Sequence, residues 1–223
     1  MTHLKRINAP KSWPIKRKEN KFIVKPLPGP HKLKECMPLS VLLREILKLS
    51  KKKRDIKTII NNKNILINDK VRNNFRFPVG IFDTISISEL NKYYRVIYNK
   101  KGKLTLEDIN KEEKDYKISK ITGKTILKKG KIQINLYDGS NIIVEKDNFK
   151  VRDSIVIKEN KIVKHIKFIK DSLVYLIGGK HIGSKGKIVE LKKYPGIAKD
   201  VLVFNIDGKT HETLADYAYV IEK

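Results

Sequence analysis

The stretch of this chain that most invites a chemical reading is Gly178-Gly179-Lys180-His181-Ile182-Gly183-Ser184-Lys185-Gly186-Lys187. Glycines beside lysines are the makings of a phosphate-binding loop. The spacing fails that test. A mononucleotide loop needs G-x-x-x-x-G-K-[ST], and here Gly183 is followed by Ser184 before Lys185. A dinucleotide fingerprint needs glycine where His181 stands. Gly123-Lys124-Thr125 carries the closing half of the first motif, but Ile118 occupies the place of its first glycine. Nucleotide hydrolysis is therefore not expected. What remains is a turn in which Gly183 and Gly186 permit positive φ and close backbone approach. With Lys180, Lys185 and Lys187 it suits an RNA contact, a neighbouring protein, or a tight turn needed only for folding.

No other constellation suggests catalysis. The one cysteine, Cys36, has no histidine near it in sequence, and the five histidines are scattered with no metal-ligand spacing. Most carboxylates lie among lysines, as solvated ion pairs do. Asp153 and Asp171 each precede an apolar strand, where a structural turn role is expected. No cofactor, metal or small-molecule substrate is implied. A single cysteine forms no intrachain disulfide and fits a reducing cytosol. No apolar run is long enough for a transmembrane helix, and the charged N-terminus is unlike a signal peptide.

The chemistry the chain does offer is charge neutralisation. Its 223 residues hold 50 Lys+Arg against 24 Asp+Glu, a formal net charge of +26. Solubility needs a magnitude of only about 2–8. A charge this large repels itself in a compact state and points to a polyanion, nucleic acid first. The distribution is uneven. Residues 1–34 carry ten Lys/Arg and one acid, Glu19, whereas residues 173–223 carry eight against six. In the first stretch Lys5, Arg6, Lys11, Lys16, Arg17, Lys18, Lys32 and Lys34 surround Trp13, with His31 close to the last two. Aromatics among cations can stack on bases or pack into RNA grooves. Trp13 docked on the protein's own body is the alternative.

The elements that would position these groups follow from periodicity. Residues 1–36 hold five prolines and no helical apolar period. They are expected to be an extended basic arm, disordered until a partner binds. In residues 37–90, Leu39, Leu42, Leu43, Ile46 and Leu47 share a helical face, and a second helix from Lys53 to Asn61 buries Ile56, Ile59 and Ile60. Ile65-Leu66-Ile67 and Val71 form a hairpin through Asn68-Asp69-Lys70, residues 75–80 are irregular, and Thr84–Ser88 alternates as a strand. Arg44, Lys51, Lys52, Lys53, Arg54, Lys70 and Arg72 gather on these helices and this turn. Residues 91–172 read as a central β domain. Its hairpins turn at Asp138-Gly139 and Glu159-Asn160, and a short helix starts after Asn110. Residues 173–223 supply five short strands, enough for a small SH3-like barrel. The fold class is α+β and multidomain.

Several segments are familiar. His3-Leu4-Lys5-Arg6 with Ala9-Pro10-Lys11 and Trp13, and Gly29-Pro30-His31-Lys32-Leu33-Lys34-Glu35-Cys36-Met37-Pro38-Leu39, resemble the archaeal and eukaryotic e-type family of small-subunit ribosomal protein four. Val71-Arg72 with Pro78, Gly80, Asp83 and Ile85-Ser86-Ile87 resembles it too, as does Tyr94-Arg95-Val96-Ile97-Tyr98 with Lys101-Gly102. Gly178-Gly179 with Gly183, Gly186 and Ile188 resembles the family's KOW motif. The resemblance runs through the whole chain in order. It implies an S4-type RNA-binding domain, a central β domain and a KOW-bearing barrel. It also implies a structural, non-enzymatic role on ribosomal RNA beside other small-subunit proteins, in the cytoplasm. Eukaryotic members carry a further basic tail, so a chain ending at Lys223 is expected of an archaeal source or a reduced eukaryote. The rival readings are a free RNA-binding regulator or translation factor and an RNA-modifying enzyme with the same RNA-binding fold.

Overall fold

The computed structural model describes residues 3–62, 65–145, 147–159, 161–195 and 199–222. Asn160, expected in a hairpin turn, lies outside them. The chain forms two compact units, Met1–Tyr98 with Gly102–Lys117, and Asn99–Lys101 with Ile118–Lys223.

In the first unit the basic N-terminal stretch is not a free arm. Leu4–Lys5 pairs antiparallel with Phe22–Ile23. Trp13 is 1% exposed and its Nε1 donates to the Cys36 carbonyl at 2.7 Å. The Leu104 amide donates to the Ser12 carbonyl at 2.8 Å. Prolines prevent a helix here but do not prevent packing, because one large indole buries enough apolar surface to anchor an extended chain. The expectation of an isolated arm is corrected accordingly.

Cys36–Pro38 pairs with Pro78–Gly80 in register, Cys36 against Gly80 and Pro38 against Pro78. The sequence hid this second strand, since a proline and a glycine within three residues are a poor strand signature. A helical turn at Leu39–Val41 opens into a wider turn at Leu42–Ile46, closed by the Leu47 amide on the Leu42 carbonyl. The predicted apolar face is kept through Leu43, while Ile46 and Leu47 are only half-buried. Lys53–Asn61 is the expected helix, burying Ile56 and Ile60 four residues apart, with Ile59 at the edge. A five-stranded sheet follows in the order Lys70–Val71, Ile65–Ile67, Thr84–Ile87, Lys92–Tyr98, Leu104–Asp108. Its hairpin turns at Asn68 and Asp69, both at positive φ.

The expected boundary after residue 90 therefore falls between two paired strands, Thr84–Ile87 and Lys92–Tyr98. By contact, residues 102–117 group with the first unit. Lys111–Glu113 is the expected short helix, and Leu104–Asp108 is a strand the periodicity missed.

The second unit holds two five-stranded antiparallel sheets. One runs in the order Asn141–Val144, Ile132–Leu136, Lys117–Ile126, Ser154–Lys158, Lys161–Ile166. Its core is Ile121, Ile134, Leu136 and Ile155. The other runs Lys209–Leu214, Val201–Ile206, Lys185–Lys192, Leu173–Leu176, Ala218–Glu222, over Val174, Leu176, Leu202, Phe204 and Val220. Lys120 is buried, and its ammonium donates to the carbonyls of Asp216 at 2.8 Å and Ala218 at 2.9 Å. That places a cation on the carbonyl end of the short helix Ala215–Tyr217.

Candidate nucleic-acid interface

The cations of the first unit divide into two populations. One faces inward. Arg6 is 1% exposed. It bonds the Lys16 carbonyl and the carboxylates of Glu19 at 3.2 Å and Glu45 at 3.1 Å. Arg17 donates to the carbonyls of Ile7, Ala9 and Pro10 at 2.6–3.0 Å, holding the N-terminal loop closed. Arg44 bonds Glu45, also through its guanidinium. His31 is buried, with Nε2 at 2.8 Å from Asp83 Oδ2. Trp13, Arg6 and His31, expected on RNA, are thus built into the core, and no face of Trp13 is open for stacking.

Asp83 is the centre of that core. Its carboxylate accepts from His31, from Asn68 Nδ2 at 2.8 Å, from the Gly80 amide at 2.9 Å and pairs with Lys117 at 2.9 Å. Burial by itself would raise its pKa. The Lys117 ammonium, His31 and the hydrogen bonds outweigh burial and hold the carboxyl well below the usual range. Asp83 also helps, after burial, to push the Cys36 thiol up to about 12, so that thiol stays protonated and inert.

The other population faces outward. Lys5, Lys11, Lys16, Lys18, Lys32 and Lys34 are exposed. So are Lys51, Lys52, Lys53, Arg54 and Lys70. Lys53 and Lys57 place their ammonium groups 5.1 and 4.6 Å from the centroid of the Phe75 ring. The Arg72 guanidinium lies 4.6 Å from the Phe77 centroid, and its Nε is buried with no hydrogen-bond partner among the described residues. Two rings thus hold three cations in place, worth about 0.5–1 kcal/mol each at exposed sites. A side chain held beforehand loses less entropy on any later contact. Lys57, Phe75 and Phe77 escaped the sequence reading. The signal for Lys57 was present, since it lies four residues after Lys53 on one helical face.

In the second unit, Lys180, Lys185 and Lys187 are exposed, but the loop is shorter than expected. Residues 185–187 already belong to the strand Lys185–Lys192. Gly183 has φ 78°. Gly186 is not in the left-handed region, so the expected reason for glycine there is corrected. A Cβ at 186 would sit 2.8 Å from the Asn205 carbonyl oxygen and 2.9 Å from Phe204. Gly186 is a packing residue between strands. Within the loop, His181 packs against His211 at 4.4 Å between centroids with the rings tilted by 39°, and Phe204 lies beside both. Burial, His211 and Lys180 lower the His181 pKa.

Comparison with known proteins bears on the whole chain. Residues 2–34 match the RS4NT (NUC023) domain and residues 90–162 match Ribosomal family S4e. The small ribosomal subunit protein eS4 of Methanocaldococcus jannaschii is 40% identical over 98% of this chain and 93% of its own length. That of Methanocella arvoryzae is 41% identical over 99% and 94%. The chain belongs to the eS4 family. The crystal structure of the 30S ribosomal protein S4e from Thermoplasma acidophilum superposes with a TM-score of 0.74 at 28% identity, covering 84% of this chain and 95% of that one. The matched segments include the buried Arg6, Trp13 and His31 and the strands Lys92–Tyr98 and Leu104–Asp108 of the first unit. The eS4 family consists of structural ribosomal proteins, not enzymes.

Proposed function

We propose that this protein is a structural constituent of the small ribosomal subunit that binds and organises ribosomal RNA in the cytoplasm. The observation that carries this is the near end-to-end match, at 40% identity, to relatives named small ribosomal subunit protein eS4. The outward cations supply the means. Lys51, Lys52, Lys53, Arg54, Lys57, Lys70 and Arg72 form the RNA-facing surface of an S4-type domain, aligned by Phe75 and Phe77. Lys5, Lys11, Lys16, Lys18, Lys32 and Lys34 extend that surface over the N-terminal stretch. Lys180, Lys185 and Lys187 act from a KOW turn on an SH3-like barrel. Each phosphate met by a cation releases counterions, and A-form RNA is recognised through such backbone contacts. Neighbouring small-subunit proteins are the further partners.

Sedimentation tests the reading. The tagged protein should remain stoichiometric with small subunits through a high-salt wash. Release into the free-protein fraction, with RNA binding preserved, would identify a regulator or factor.

A further inference from the structure

We propose that the outer edge of the strand Asn141–Val144 is the docking site for an extended strand of another protein, one of net negative charge with apolar residues at alternate positions. That this other protein is a small-subunit neighbour rests on the ribosomal reading above; the geometry of the edge stands on its own.

Asn141–Val144 is an outer strand of its five-stranded sheet, paired on one side with Ile132–Leu136. The Leu136 amide donates to the Ser140 carbonyl at 3.0 Å. That bond fixes the alternation of the antiparallel ladder. Ile134 with Ile142 and Ile132 with Val144 are the hydrogen-bonded pairs, whereas Gln133 with Ile143 and Asn135 with Asn141 are not. On the other side of Ile132–Leu136, the Leu127 amide on the Lys131 carbonyl sets the same alternation, so the Gln133 backbone bonds towards Thr125. The backbone amides and carbonyls of Asn141 and Ile143 therefore point out of the sheet, and they have no backbone partner among the described residues.

Sheet edges are commonly blunted by charge, proline or a bulge. Every other outer strand of the three five-stranded sheets carries a charged residue, and Lys161–Ile166 adds a register shift. Asn141–Val144 has no charge and no proline, and Ile142, Ile143 and Val144 are all β-branched. Ile142 and Val144 pack against the core of Ile121, Ile134, Leu136 and Ile155. Ile143 lies on the opposite face, in line with Gln133 and Thr125, and is 59% exposed. At the open end of the sheet, Ile126, Ile132 and Val144 form a row across the core-side face, and Ile126 is 80% exposed. A strand added at this edge places every second side chain against that row and the intervening ones beside Ile143.

Charge around the edge selects the occupant. Residues 121–150 hold six lysines against Asp138, Glu145 and Asp147. Asp147 is taken by Lys124, and Asp138 is buried in its turn with Ser140. Lys128 and Lys131 are exposed and form no ion pair among the described residues. A second copy of this chain would bring another +26 to the contact, and like charges oppose that pairing. RNA would answer the lysines, but its backbone has no repeat that matches outward amides and carbonyls two residues apart. A polypeptide strand supplies both kinds of partner at the right spacing, and its alternate side chains meet the apolar row.

The test uses the full-length protein in purified small subunits. Asn141 is replaced by photoreactive benzoylphenylalanine, and the crosslinked peptide is identified by mass spectrometry. It should be a segment of another protein, acidic in net charge, with apolar residues at alternate positions. Ile143→Pro removes an outward amide without breaking a bond to Ile132–Leu136, and should reduce the crosslink by about tenfold. Ile143→Glu, which repels an acidic strand, should act in the same direction and covers the case in which the proline variant fails to fold. Amide exchange gives an independent reading. The Asn141 and Ile143 amides should exchange fast in the free protein and about tenfold or more slowly in the subunit, while Ile142 and Val144, already in the ladder, change less. A crosslink to RNA alone, to a second copy or to nothing overturns the proposal. So does a crosslink that both Ile143 variants leave unchanged; the ribosomal reading survives all of these. A protein that never enters small subunits overturns the ribosomal reading and, with it, the source of the docked strand.

Discussion

Arg6 and Lys53 belong to the same unit and carry the same charge, yet they do opposite work. Arg6 is 1% exposed, paired with two carboxylates and a carbonyl. Lys53 is exposed above the Phe75 ring. The first cation closes a loop of its own chain, while the second stays exposed with no carboxylate recorded beside it among the described residues. The surroundings decide which. Glu19 and Glu45 lie within reach of Arg6, whereas the two rings beside Lys53, Lys57 and Arg72 attract a cation without neutralising it. A high positive charge is thus not one property of this molecule but two, one paired inside the fold and one facing solvent.

The sharpest way to break this comparison is at the anchor of the inward group. Trp13→Ala should destabilise the protein by about 3–5 kcal/mol, the range for a large aromatic removed from a core. Urea denaturation measures it, and a loss below about 1 kcal/mol would mean a loosely held N-terminal stretch. Arg6→Met should cost about 1–3 kcal/mol, because it removes the buried donor to the Lys16 carbonyl, Glu19 and Glu45, although Glu45 keeps Arg44. The slope of RNA affinity against salt should not change in that variant. Neutralising Lys51, Lys52, Lys53 and Arg54 together should do the reverse. The log–log slope should fall by about 0.9 for each duplex phosphate that is no longer neutralised, while stability moves by no more than about 0.5 kcal/mol. An unchanged slope would place these charges in open solvent.

Smaller effects sharpen the comparison. Lys120 is another inward cation, and burial lowers its pKa to about 8, against the raising effect of Asp216. In the unfolded chain it titrates near 10.5. Between those two values the unfolded state binds more protons, so stability should rise with pH across this window. Lys120→Met should remove that rise from the pH profile of the denaturation midpoint. Smallest of all, Cys36 should resist thiol reagents at pH 8 until denaturant is added, since burial pushes its pKa up to about 12.

How much of this was legible beforehand depends on range. The helix Lys53–Asn61, the turn at Asn68-Asp69 and the hairpin at Asp138-Gly139 are local, and their residues announce them. The strand Pro78–Gly80 exists only because Cys36–Pro38 lies beside it, some forty residues away, and nothing local could reveal that. The site divides in the same way. That Arg54 faces outward was readable from the helical period of Ile56 and Ile60, whereas Lys51 and Lys52 precede the helix and Lys53 shares the isoleucines' face at its first turn. That Trp13, Arg6 and His31 face inward was not, because it depends on the Cys36 carbonyl, on Glu45 and on Asp83. A run of cations beside an aromatic looks the same in sequence whichever way it turns.

The contact between Gly80 and His31 has an evolutionary corollary. A Cβ at position 80 would lie 2.2 Å from the His31 ring, and the Gly80 amide and the ring both bond the same Asp83 carboxylate. Positions 31, 80 and 83 are therefore one inherited unit. A lineage that exchanges the glycine for a larger residue must give up the imidazole in the same step or pass through an unfolded intermediate. These three sites should change together in descent or remain fixed, and a sequence holding His31 and Asp83 with any side chain at 80 should be absent among functional relatives.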